Sequence, residues 1–165
     1  MKSITLLATT LLLALGLTVQ VHAETTVTLT GLHNCCGSCD RGITKALTSV
    51  DGVTATVSKT TATITAKNKA DADKAIDALL AAGYYGVGAP EQKIADKKVK
   101  SATISGTHLC CGKCVTGIND ALKGVTGITS NTAAKGVKTF TVEGDFNLKD
   151  LLAALNKAGY HGKIE

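Results

Sequence analysis

Apolar and polar positions alternate along this chain in short bursts, and the bursts come in one order that occurs twice. Residues 25–32 interleave threonines with Val27 and Leu29, the period of two expected of a half-buried strand. Gly42, Ile43, Ala46, Leu47 and Val50 follow at helical spacing. Residues 53–58 and 61–66 alternate again around Lys59-Thr60, which reads as a hairpin. Ala75, Ile76, Leu79 and Leu80 mark a second helix, with Asp71 or Asp73 as its cap and Gly83 as its stop. Residues 85–87 form a short last strand. The second half repeats the series: a strand over 99–105, a helix over 115–122, a hairpin of 128–133 and 137–142 around Lys135-Gly136, a helix over 148–158 closed by Gly159, and a strand over 161–164. The order βαββαβ, twice, predicts an α+β protein of two tandem ferredoxin-like domains. They occupy 24–89 and 98–165, joined by a polar linker, 90–97, that holds Pro90, the only proline.

The start of the chain departs from this alternation. Lys2 precedes an apolar run over 4–17, and Val21-His22-Ala23 places small residues where a signal peptidase reads. Residues 1–23 therefore read as a secretory signal peptide; the run falls short of the roughly 20 apolar residues of a spanning helix. The mature protein is expected to be periplasmic or secreted, with no membrane span. The formal charge of +5 is spread without a basic run, and aromatics make up only 3% of the chain. Stacking platforms and a phosphate-binding stripe are both missing, so nucleic acid is not expected as a partner.

All six cysteines fall in two clusters of matching sequence, His33-Asn34-Cys35-Cys36-Gly37-Ser38-Cys39 and His108-Leu109-Cys110-Cys111-Gly112-Lys113-Cys114, with matched positions 75 apart. Each cluster lies between a strand and a helix. Two residues between cysteines let their sulfurs converge on one ion, and the unpaired N–H groups of a first helical turn favour the thiolate. Thiolates select soft or borderline ions such as Cu(I), Zn(II), Hg(II) and Cd(II). The candidate ligands are Cys35, Cys36, Cys39 and His33 in one loop, and Cys110, Cys111, Cys114 and His108 in the other. A third cysteine with a histidine makes an S₃N set, and three sulfurs alone a trigonal site. Structural disulfides are the alternative in an oxidising compartment, although loops this short gain little from closure.

Each repeat resembles the heavy-metal-associated domain of copper chaperones and copper-pumping ATPases. Cys36-Gly37-Ser38-Cys39 with Ile43, and Cys111-Gly112-Lys113-Cys114 with Ile118, match its Cys-x-x-Cys-x-x-x-Ile pattern, and Ala82-Gly83-Tyr84 and Ala158-Gly159-Tyr160 match the Ala-Gly-Tyr before its last strand. The resemblance implies the ferredoxin-like fold and a ligand role for Cys36, Cys39, Cys111 and Cys114. His161, in the loop beside the metal loop, stands where some copper chaperones carry a histidine. Two departures separate this chain from the pattern: the extra Cys35 and Cys110, and Leu32 and Thr107 where the family carries methionine.

These readings converge on a non-enzymatic carrier, chaperone or scavenger of a soft ion, Cu(I) first, Zn(II) or Hg(II) otherwise, with one site in each domain. A metal donor or acceptor protein would be its partner. A thiol–disulfide protein is the main alternative, but the sole proline lies in the linker rather than beside the cysteines. No nucleophile with a base, paired carboxylates or phosphate-cradling loop suggests an enzyme.

Overall fold

The computed structural model describes residues 24–165; the signal-peptide reading lies outside them. The first domain runs β1 (Thr25–Leu29), α1 (Gly37–Leu47), β2 (Val53–Ser58), β3 (Thr61–Ala66) and α2 (Lys69–Ala81). Its strands form an antiparallel sheet in the order β1-β3-β2. The expected last strand is reduced to a single bridge, in which Thr30 and Val87 exchange both backbone hydrogen bonds (3.2 and 2.7 Å). The second domain runs β4 (Lys98–Ser105), α3 (Gly112–Lys123), β5 (Ile128–Asn131), β6 (Thr139–Asn147), α4 (Leu148–Lys157) and β7 (Lys163–Ile164), with sheet order β5-β6-β4-β7. In the second domain this is the complete ferredoxin-like topology, two βαβ halves interleaved in one sheet. In both domains the helices cover one face of the sheet.

The helix faces explain how the cysteines are aimed. Cys39, Ile43 and Leu47 are the buried residues of α1; Cys114, Ile118 and Leu122 are those of α3. The four-residue spacing puts each set on one stripe. The stripe that anchors the helix to the sheet thus turns the last cysteine of each loop inward. Ile43, Leu47 and Ile118 are fully buried, each contributing about 1.5–3 kcal/mol by leaving water.

Several boundaries differ from the periodicity. Both first helices start earlier, at Gly37 and Gly112, because the cysteine loop itself supplies the opening turn. The cap of α2 is Asn68, not Asp71 or Asp73; its side chain accepts from the Asp71 N–H (3.0 Å). β6 continues to Asn147, past the expected end at 142, because a register shift near Gly144 lets Phe146 return to the core.

Each hairpin turn supports its domain's cysteine loop. In the first, Lys59 adopts φ 51°, its carbonyl accepts from Asn34 Nδ2 (2.8 Å), and the Thr60 carbonyl accepts from the Leu32 N–H (3.0 Å). In the second, the Gly136 N–H donates to the Leu109 carbonyl (2.7 Å). Among the described residues no helix is long and apolar enough to cross a membrane.

Candidate metal centre

The two cysteine loops face each other, and their six sulfurs form one cluster. The expectation of one separate site per domain is corrected here. Within the first loop, Cys39 Sγ lies 3.7 Å from both Cys35 and Cys36. Within the second, Cys114 Sγ lies 3.7 Å from Cys110 and 3.6 Å from Cys111. Between loops, Cys35 lies 3.7 Å from Cys111 and 3.8 Å from Cys114, while Cys110 lies 4.0 Å from Cys36 and 3.8 Å from Cys39. Cys39 and Cys114 meet at 3.9 Å in the middle. All six thiols are free. The physical reason for the correction is the extra cysteine: Cys35 and Cys110 alternate against their neighbours in extended backbone and so reach the opposite loop.

The domains dock reciprocally. His33 of the first loop stacks on Tyr160 of the second domain (centroids 4.2 Å), and His108 stacks on Tyr84 of the first (4.4 Å). Each tyrosine hydroxyl lies 2.9 Å from the histidine Nε2. Each also donates to the carbonyl of its own domain's inward cysteine, Tyr160 to Cys114 (2.9 Å) and Tyr84 to Cys39 (3.3 Å). With its proton on that carbonyl, each hydroxyl accepts from the imidazole Nε2–H, which fixes the neutral tautomer. Backbone bonds complete the junction. The Gly159 carbonyl accepts from His33 (3.3 Å) and Tyr85 (3.0 Å), the Gly83 carbonyl accepts from His161 (3.1 Å), and Tyr84 bridges Tyr160.

Four glycines make this approach possible. A Cβ on Gly83 would strike the backbone of Gly106 and His108, and one on Gly159 would strike Gly31 and His33. A Cβ on Gly42 or Gly117 would strike the hydroxyl of Tyr84 or Tyr160. The repeated Gly-Ile and Ala-Gly-Tyr motifs therefore shape the junction as well as each domain.

Exposure and charge divide the cluster. Cys39 and Cys114 are fully buried, whereas Cys35, Cys36, Cys110 and Cys111 are half-buried. The Cys36 sulfur faces the N–H groups of Cys39 and Ser38 at the start of α1, which pull its pKa down to about 6. Cys111 is lowered for the same reason by Cys114 and Lys113. Burial, with neighbouring sulfurs, pushes Cys35, Cys110 and Cys114 up. The helix starts thus favour the thiolate at Cys36 and Cys111, and burial favours the thiol at Cys35, Cys110 and Cys114. Burial lowers both histidines, His33 to about 4, with His108 adding repulsion to it.

His33 groups with Cys35, Cys39 and Cys114, and His108 with Cys39, Cys110 and Cys114, at distances that suit a shared ion. Each histidine thus joins sulfurs of both loops, not the three of its own. His161 joins none of these groups; its backbone serves the junction. No sequence period announces the tyrosine–histidine pairing; its one signal is that Tyr84 and Tyr160, like His33 and His108, recur at corresponding places in the two repeats.

Residues 98–161 match the model of the heavy-metal-associated domain. That match spans nearly all of the second domain. The first domain repeats the element order of the second up to its last strand, and carries the same Cys-x-x-Cys turn. The N-terminal soluble domains of Bacillus subtilis CopA, a solved structure, are 20% identical over 87% of this chain and 95% of that one, with a TM-score of 0.33. No curated protein matches the chain. The family and the six converging sulfurs together make this a metal-binding protein.

Proposed function

We propose that the protein is an exported, non-enzymatic carrier or scavenger of a soft metal ion, Cu(I) before Zn(II) or Hg(II), and that it holds its cargo between its two domains. The observation that carries this reading is the convergence of six free cysteine sulfurs from two loops at 3.6–4.0 Å. Sulfur-only surroundings favour Cu(I) and Hg(II) over harder ions. A metal–sulfur bond of about 2.3 Å puts trigonal ligands about 4.0 Å apart and tetrahedral ones about 3.8 Å apart, so little rearrangement is needed on binding.

The polarity of the cluster suggests the route of exchange. Cys36 and Cys111, whose sulfurs the helix starts favour as thiolates, meet the incoming ion or a donor's thiolate first. Transfer inward displaces the thiol protons of the interior sulfurs, and release reverses the order. A donor or acceptor protein would engage the same two cysteines, since Cys39 and Cys114 cannot be reached directly.

Native mass spectrometry of the reduced chain from Glu24, with Cu(I), Zn(II) and Hg(II) in competition, tests the reading. The expected result is a Cu(I)- or Hg(II)-loaded protein with Zn(II) displaced. A reduced protein that binds none of the three overturns it. Export is tested separately by the mass of the protein recovered outside the cytoplasm, which should begin at Glu24.

A further inference from the structure

The sulfurs are arranged as a strip of four triangles. Cys36, Cys39 and Cys110 form the first, with edges of 3.7, 3.8 and 4.0 Å. Cys39, Cys110 and Cys114 form the second, with edges of 3.7, 3.8 and 3.9 Å. Cys35, Cys39 and Cys114 form the third, with the same three lengths. Cys35, Cys111 and Cys114 form the fourth, with edges of 3.6, 3.7 and 3.8 Å. Each triangle draws on both loops. Each approaches the roughly 4.0 Å edge of a trigonal ion with bonds of about 2.3 Å. Neighbouring triangles share an edge, so ions bound to them would share thiolates.

From this we propose that the junction takes up Cu(I) as one thiolate-bridged polynuclear cluster of four ions, rather than as one ion per domain. The proposal rests on the soft-metal reading above. Four trigonal ions need twelve copper–sulfur bonds, and six thiolates that bridge two ions each on average supply twelve. The balance is four Cu(I) and six cysteine sulfurs giving the cluster, with two net negative charges, and one proton released from each sulfur that starts as a thiol. Sharing makes uptake cooperative. The first ion draws the loops into register, and each later ion finds two of its sulfurs already placed. Cys35 and Cys110, which cross to the opposite loop, are what turn two local pairs into a connected strip. His33 and His108 stand at its flanks, held by Tyr160 and Tyr84.

The test is an anaerobic titration of the reduced mature chain with Cu(I) delivered from a competing chelator. It is followed by native mass spectrometry and by X-ray absorption at the copper edge. The expected result is a four-copper species appearing directly beside the apo-protein, with few intermediates, three sulfur neighbours per copper and a copper–copper scattering shell. Cys35→Ser with Cys110→Ser should abolish the four-copper species and leave at most two ions without copper–copper scattering. Circular dichroism of that variant reports whether it keeps the fold. If it does not, the wild-type spectrum alone decides. One or two independently bound ions in the wild type, with no copper–copper shell, overturn the cluster and leave the carrier reading intact. No bound copper overturns both.

Discussion

Cys35 and Cys36 are neighbours in sequence and opposites in chemistry. Cys36 sits at the start of α1 with amide hydrogens aimed at its sulfur, while Cys35 is turned into the crowd of other sulfurs. Alkylation of the reduced protein should therefore label Cys36 first, with a rate that rises through about pH 6 and levels off above it, because thiolate forms above the lowered pKa. Cys35 should stay unlabelled at that pH; peptide mass mapping separates the two. His33 gives a second pH signal. Its folded pKa of about 4 lies below the ordinary value of 6.5, so the unfolded chain takes up the proton first. Its contribution to stability is complete above pH 6.5 and is lost as pH falls toward 4. Urea midpoints of the apo-protein should drop over that window, and His33→Gln should flatten the drop. Tyr160→Phe removes the hydroxyl that accepts from His33 and donates to the buried Cys114 carbonyl. The expected cost is about 1–3 kcal/mol in chemical denaturation.

At the scale of elements, local pattern carried most of the information. The hairpin strands 53–58 and 61–66 stand where the alternation placed them, because one face packs against helices and the other meets water. The edges were less legible. β6 passes through Gly144 by a register shift that no two-residue period describes, and β7 keeps only Lys163 and Ile164. The helix starts were hidden because α1 and α3 open on Cys-Gly turns, which read as loop. Asn68→Ala should cost about 1 kcal/mol by uncapping α2, with the cysteine cluster unaffected. Gly117→Ala should behave differently. Its methyl group would displace the Tyr160 hydroxyl and crowd His33, so the docking of the domains should loosen while the α3 helix itself gains propensity. Cu(I) affinity, measured against a chelator, should fall without loss of helical signal.

For the whole molecule, sequence reasoning picked out the residues of the cluster but not where they meet. All six cysteines and both loop histidines were legible, because duplication at one spacing made them stand out. The junction was not, because it is made of backbone carbonyls, glycines that tolerate close approach, and aromatic pairs split between repeats. None of these has a period along the chain. The consequence for mutagenesis is a reversal. For separate sites, Cys36→Ser with Cys39→Ser would spare the second domain. In the shared cluster it breaks three of the four sulfur triangles, leaving only Cys35, Cys111 and Cys114. Titration with Cu(I) should find about one ion left in that variant, bound more weakly than in the wild type, whereas the three untouched sulfurs of the second domain binding an ion at full strength would contradict a shared centre.

The reciprocal docking has a kinetic side. Each half of the chain grips the other through the same kind of contact, a histidine on a tyrosine and a glycine under a loop, as the two copies of a symmetric dimer would. The 90–97 segment is then a tether. It raises the effective concentration of one half near the other, so the bare junction can be weak and still closed. Once that tether is cut by a protease, the weak junction and the metal are all that tie the halves together. Gel filtration of the nicked protein should show one species with Cu(I) and two after a strong chelator is added. The rate at which the halves part would then be the rate at which the cargo leaves, which makes physical separation a clock for metal release.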